Sequence, residues 1–171
     1  MYTEKIYVNF SNVYKVNKKL SLNYLLKDGD VLFVRSSVKN EGVGWTSLYR
    51  DVGENATFCG FIIRGRKKQK GISSEYITYY LRSDIGRNAL IGKSGQLAIT
   101  NISQENLKQT LLPLPPLPEQ ERIVEILSQI DETIEKEIQY KEKLERLKRG
   151  LMEDLLTGKV RVNAFGDSRY Y

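Results

Sequence analysis

Three clusters of polar residues in this chain are spaced closely enough to act together. The first is Arg64-Gly65-Arg66-Lys67-Lys68-Gln69-Lys70, with five cations in seven residues. Such a run can grip phosphate oxygens, or it can stand as a solvated basic turn; both readings stay open. The second is Arg35, Ser36, Ser37 and Lys39, which follow the apolar run VLFV. The third is Lys93, Ser94, Gln96, Thr100 and Asn101. Arg, Lys, Asn and Gln are the side chains that read base edges, whereas phosphate contacts only position a protein on the duplex. Taken singly, each of these residues is more often a structural polar group than a base contact. Taken together, Arg35, Ser36, Ser37, Lys39, Arg64, Arg66, Lys67, Lys68, Lys70, Lys93, Ser94, Gln96, Thr100 and Asn101 are the candidate set for contacting an anionic partner, nucleic acid first.

Bond-breaking chemistry finds little support. The chain has no histidine, which removes Ser–His and Cys–His catalysis, the usual zinc hydrolases and imidazole acid–base work. Carboxylate or lysine chemistry is left open, yet no clustered carboxylate motif with a nearby lysine marks a nuclease. The single Cys59 excludes an internal disulfide and a cysteine-cluster zinc site. Within TFCGFII it is expected to be a small buried residue rather than a reactive thiol. Ile91-Gly92-Lys93-Ser94 has the look of a phosphate-binding loop. That loop needs four residues between its glycines, and Gly86 and Gly92 are separated by five. Gly42-Val43-Gly44 is too short for a dinucleotide fingerprint. The Pro-Pro of LPPL lacks polar neighbours to hold a target amino group for methylation. The expectation is a binding protein with no catalytic residue, no metal ligand and no cofactor of its own.

The charge distribution agrees. The 171 residues carry a net charge of +6, and the basic balance favours an anionic partner. Lys and Arg outnumber Asp and Glu by eight in residues 1–112, and fall short by two in 113–171. The anion-seeking part is therefore N-terminal. No run approaches a membrane span and the start is too polar for a signal peptide, so a cytoplasmic protein without a membrane partner is expected.

Several elements must hold these residues in place. β-Branched and aromatic runs predict strands near 6–10, 31–35, 44–49, 57–64 and 97–102. Lys27-Asp28-Gly29-Asp30 reads as the turn before the second of these. SSEYITYYLRSDIG predicts a helix capped by Ser74 and ended by Gly86, with Ile77, Tyr80, Leu81 and Ile85 on one face. Tyr79 and Tyr80 are expected in the core or on the domain surface rather than as stacking platforms, and Trp45 could be either. The fold class is α+β: one small mixed domain (1–112), a Pro-rich hinge (113–118), a long helix (119–157) and a tail (158–171).

The hinge, LPLPPLP, cannot continue a helix, because proline lacks the N–H and forces its neighbour towards extended conformations. Pro118, Glu119 and Glu121 then suit the start of a helix. Its apolar residues are Ile123, Leu127, Ile130, Ile134 and Ile138, then Leu144, Leu147, Leu151 and Leu155. Steps of three and four are those of a coiled-coil seam, imperfect near Lys141. About 38 residues at ~1.5 Å each give a rod of roughly 57 Å. A rod of that length cannot bury its stripe against a small domain, so a partner helix is implied.

The run LPLPPLPEQERIVEIL, followed by IDETIEKEIQYKEKLERLKRGLMEDLLTGKVRV, closely resembles the conserved region of the specificity subunit of type I restriction–modification systems. GDVLFVRSS and GQLAITNIS resemble parts of that family's target-recognition domain, so the likeness spans residues 28–162. The resemblance implies a non-catalytic subunit that reads double-stranded DNA. In the family, two recognition domains each read half of a bipartite site, and paired antiparallel helices set the gap. The subunit gathers methyltransferase subunits and motor–nuclease subunits, which bind the methyl donor and ATP. This chain departs by holding one domain and one helix, which implies a half-length form pairing with a second copy or with another specificity subunit. It departs again at MYTEKIYVNFSNVYK, which resembles mid-domain sequence. The domain is thus expected to be incomplete at its N-terminus, and an assembly fragment or silent cassette that reads no DNA is the alternative.

Overall fold

Val31-Leu32-Phe33-Val34 is a continuous apolar run bounded by polar residues, which suits a strand covered on both faces. It forms β1 (Val31–Val34), buried at every position. β2 (Thr46–Leu48) and β3 (Ile62–Gly65) pair with it antiparallel on either side, giving the order β2-β1-β3. Val31 lies opposite Leu48 and Gly65, and Phe33 opposite Thr46 and Ile63. The computed structural model describes residues 5–11, 13–17, 21–37, 42–91 and 101–162. Its architecture is α+β, with two compact units, residues 1–127 and 128–171.

In the first unit, the sheet packs with α1 (Ser74–Arg82) and α2 (Asp84–Ile91) around a core that includes Ile6, Val31, Phe33, Leu48, Leu81 and Leu90. Each fully buried aliphatic or aromatic side chain contributes roughly 1.5–3 kcal/mol. A 3-10 turn (Leu22–Tyr24) and a short helix, α3 (Gln104–Lys108), complete the described elements before α4 (Leu117–Leu156). Asp30 follows the Lys27–Gly29 turn and is 1% exposed. It survives burial because Arg66 grips it bidentately, Nε and a terminal nitrogen each donating at 2.6 Å, and because the Lys27 N–H donates to it at 2.8 Å.

Several expectations need correction. The predicted 6–10 strand is reduced to an isolated parallel bridge from Tyr7 to Leu48. The predicted 57–64 strand begins only at Ile62, because a turn at Cys59–Ile62 precedes it. Cys59 is on that turn and exposed, not buried. Ser73 rather than Ser74 caps α1, its hydroxyl accepting from the Tyr76 N–H at 3.1 Å. Ser83, with ψ 158°, breaks the helix before Gly86. Gly86 does not end anything. It lies buried inside α2, where a Cβ would stand 2.0 Å from the Tyr80 carbonyl oxygen, so only glycine lets the two helices meet this closely. Beyond the break the facing changes, and Ile85 is 72% exposed. Of the predicted 97–102 strand, residues 97–100 lie outside the described residues; Asn101 forms a bridge with Ser36.

In the second unit, residues 128–156 continue as helix. Gly158, at φ +72°, closes it: its N–H donates to Leu155 and the Val160 N–H to Asp154. No helix among the described residues is long and apolar enough to cross a membrane.

Candidate nucleic-acid interface

The β1 strand delivers its polar follow-on residues to one place. Arg35 is exposed and Ser36 and Ser37 are half-buried. The Arg35 N–H donates to the Phe61 carbonyl at 2.7 Å, and its carbonyl accepts from the Ile102 N–H at 2.8 Å. These two bonds draw together segments far apart in sequence. Ser36 then pairs with Asn101 through a backbone bridge and a hydrogen bond from its hydroxyl to the Asn101 carboxamide oxygen. A groove results, lined by Arg35, Ser36, Phe61, Asn101, Ser103 and Asn106. It unites one member of the third polar cluster with two of the second. Lys39, Lys93, Ser94, Gln96 and Thr100 lie outside the described residues.

Composition and spacing single out neither Phe61, Ser103 nor Asn106. Phe61 is 67% exposed although aromatic, at the end of the turn that overturns the predicted 57–64 strand. Ser103 caps α3, accepting from the Asn106 N–H at 3.1 Å. A Ser-x-x-Asn spacing before a short helix could have been read as a cap; the exposure of Phe61 had no local signal.

The basic run after β3 divides into two kinds of cation. Arg64 donates to the carbonyls of Asn23 at 2.9 Å and Leu25 at 3.1 Å, and lies over the Phe58 ring at 5.4 Å. Arg66 holds Asp30 and also reaches the Leu25 carbonyl at 3.1 Å. The hydrogen bond to Asp30 pushes the Arg66 pKa further up, so its charge is permanent. Both arginines therefore fasten the 3-10 turn and the β1 turn to β3. Lys67 donates to the Ile72 carbonyl at 3.2 Å. Lys68 and Lys70 are exposed, with no ion pair or hydrogen bond among the described residues. The sequence shows five like cations; only the fold distinguishes the fasteners from the free ends.

Trp45 is half-buried near two guanidinium groups, with Arg82 at 4.9 Å and Arg87 at 5.5 Å from its ring. Arg82 also donates to the Thr46 and Lys5 carbonyls, both at 2.7 Å. Tyr79 and Tyr80 pack against the core. These aromatics belong to the architecture. Among the described residues no group of three or more His, Cys, Asp or Glu is placed to hold a metal ion.

A sequence model of the family described as "Type I restriction modification DNA specificity domain" matches residues 1–146. The chain belongs to this family. Among specificity-domain relatives, it is 31% identical over 131 residues to the StySPI type I restriction enzyme specificity subunit of Salmonella potsdam, covering 72% of this chain and 28% of that protein. It is 30% identical over 142 residues to the MjaVIII specificity subunit of Methanocaldococcus jannaschii, covering 81% and 32%. It is 33% identical over 121 residues to the EcoKI specificity subunit of Escherichia coli K12, covering 66% and 25%. The chain thus spans about a quarter to a third of the length of these relatives. The crystal structure of the HsdS subunit from Thermoanaerobacter tengcongensis shares the fold, with a TM-score of 0.58 at 20% identity over 85% of this chain and 36% of that one.

The α4 residues singled out for helix pairing are mostly exposed. Ile123 is half-buried in the first unit. Leu127, Ile130, Ile134, Ile138, Leu144, Leu147, Leu151 and Leu155 are each 38–58% exposed.

Proposed function

We propose that this chain is a non-catalytic DNA-recognition component of a type I restriction–modification system. In this reading residues 1–112 form the recognition domain, 113–118 the hinge, 119–157 the pairing helix and 158–171 a tail. The domain reads one half of a bipartite site in double-stranded DNA. The helix pairs with a second copy or with another specificity subunit. The assembly directs methyltransferase subunits, and with them motor–nuclease subunits, to that site in the cytoplasm. The methyl donor and ATP belong to those partners.

One observation carries the reading: Arg35, Ser36 and Asn101 converge on one groove, beside the exposed ring of Phe61. Guanidinium and carboxamide groups in a shared concavity are what base-edge reading requires. Lys68 and Lys70 are suited to phosphate and supply position without sequence preference.

The test is to measure the mass of the protein in solution, alone and with its methyltransferase subunit. The complex is then titrated with randomised duplexes and the retained DNA sequenced. A two-fold assembly enriching a symmetric split motif is expected. A protein that joins the methyltransferase but enriches no motif is an assembly component instead, and the recognition reading fails.

A further inference from the structure

Gln120 is the one buried residue among the forty of α4, 1% exposed at the first full turn. Both ends of its carboxamide are engaged. The oxygen accepts the Ser73 N–H at 2.9 Å, and the nitrogen donates to the Pro115 carbonyl at 2.7 Å and the Gly71 carbonyl at 3.2 Å. Ser73 caps α1, and Gly71 follows Lys70 at the foot of the basic loop. One side chain therefore joins the start of α4, the proline connector and the base of the loop that carries Lys68 and Lys70.

The connector explains why an amide stands here. Prolines offer carbonyls and no N–H, so at its proline positions the backbone of this segment can be held only by donors. Three of its proline carbonyls are met. Pro116 accepts from the N–H groups of Glu119 and Gln120 at 2.9 and 3.1 Å. Pro115 accepts from Gln120. Pro113 accepts from the Tyr76 hydroxyl at 3.1 Å, a phenol whose pKa burial pushes up so that it keeps its proton. Only a carboxamide combines an acceptor with two donors at one tip.

We propose that Gln120 is a positioning residue, a latch that fixes the first turns of α4 to the foot of the basic loop. Phosphate contacts made by Lys68 and Lys70 are thereby held in register with the helix. The consequence for DNA rests on the recognition reading above: the latch makes the gap between half-sites a fixed length.

The test uses the full chain. Nitroxides are placed on the native, exposed Cys59 and on Arg122→Cys, whose parent side chain is 68% exposed. The labelled protein is diluted with unlabelled protein so that only pairs within one chain are counted. The parent protein is expected to give one narrow distance distribution at pH 5 and at pH 8. Gln120→Leu is expected to broaden it at least twofold. Gln120→Glu is the sharper probe. Protonated, it keeps an acceptor and one donor; ionised, it sets a carboxylate against two carbonyl oxygens. Its distribution should be narrow at pH 5 and broad at pH 8. Charged side chains at this face are Lys67, Lys70, Glu75, Glu119, Glu121 and Glu125, and the flat parent profile controls for their titration. If Gln120→Leu fails to fold, Gln120→Glu and Tyr76→Phe decide, the latter removing only the bond to Pro113 and broadening the distribution less.

Widths unchanged by both Gln120 substitutions overturn the proposal. In a second arm, randomised duplexes retained by Gln120→Leu should show the parent half-site with gaps spread by one base pair or more; gaps as sharp as the parent's also overturn it. A parent protein that enriches no motif sinks the recognition reading alone, and the distance measurement still judges the latch.

Discussion

The β1 strand and the middle of α4 are both built around large apolar residues, yet their fates differ. Val31, Leu32, Phe33 and Val34 are each at most 8% exposed, whereas Ile130, Ile134, Leu147 and Leu151 are 43–58% exposed. The first unit makes its own core from residues distant in sequence. The apolar stripe of α4 from Leu127 to Leu155 is a surface of the kind that calls for cover. Folding of the domain and pairing of the helix should therefore be separable by substitution, and the largest effect should appear on the helix side.

Ile134→Asp combined with Leu147→Asp puts two charges on the exposed seam. Burying an unpaired carboxylate at a helix interface costs several kcal/mol, so pairing is expected to weaken at least ~100-fold. Sedimentation velocity should report the change, while the domain still unfolds cooperatively by Trp45 fluorescence. A variant that associates as tightly as the parent would show that this stripe is not the pairing surface.

Within the domain, the two kinds of cation in the basic run sharpen the contrast further. Arg66→Ala leaves Asp30 buried without its partner, and a loss of about 3 kcal/mol in denaturant unfolding is expected. That is the low end for a broken buried pair, because Arg66 is itself 33% exposed. Lys68→Ala should change stability by no more than ~0.5 kcal/mol. On DNA the order reverses. Lys68→Ala should lower the slope of log affinity against log salt by ~0.9 while leaving sequence preference intact. If Lys68→Ala unfolds the domain, or Arg66→Ala does not weaken it, the division between fasteners and phosphate ligands is wrong.

How much of this the sequence disclosed depended on the range of the interactions involved. Although the long helix starts at Leu117, inside the expected hinge, it and its glycine stop follow local signals and were legible. So was the VLFV strand, with its turn at Lys27–Asp30. The 57–64 segment was not. Its apolar run reads as one strand, but tertiary bonds such as that from the Thr57 hydroxyl to the Tyr24 carbonyl hold its first half outside the sheet. Gly86 misled because glycine ends helices by adopting positive φ, whereas here its missing Cβ admits a neighbouring backbone. Gln120 was hidden for a related reason. Its neighbour Glu119 reads correctly as a helix-start charge, but nothing local says that Gly71 and Ser73 wait 47 to 49 residues away.

A final and smaller test of the self-sufficient core comes from pH. Tyr49 is 1% exposed, and burial first, with Asp51 second, pushes its phenol above the ordinary value of 10.0. A phenol with a raised folded pKa binds its proton more tightly in the native state than in the unfolded chain. Its contribution is fully present below the unfolded value of about 10 and is lost as pH rises through the folded value. The denaturant midpoint followed by Trp45 fluorescence should hold steady to about pH 10 and then fall. The loss amounts to about 1.4 kcal/mol for each tenfold difference in proton affinity between the two states. Tyr49→Phe cannot ionise, so its alkaline fall should be shallower even if its midpoint near neutrality is lower. A variant with an alkaline limb as steep as the parent's would locate the titrating group elsewhere, with Tyr76, also raised by burial, the next to replace. Because both phenols lie in the first unit, substitutions on the α4 seam should leave this limb unmoved, which makes it an independent check that core and seam are energetically distinct.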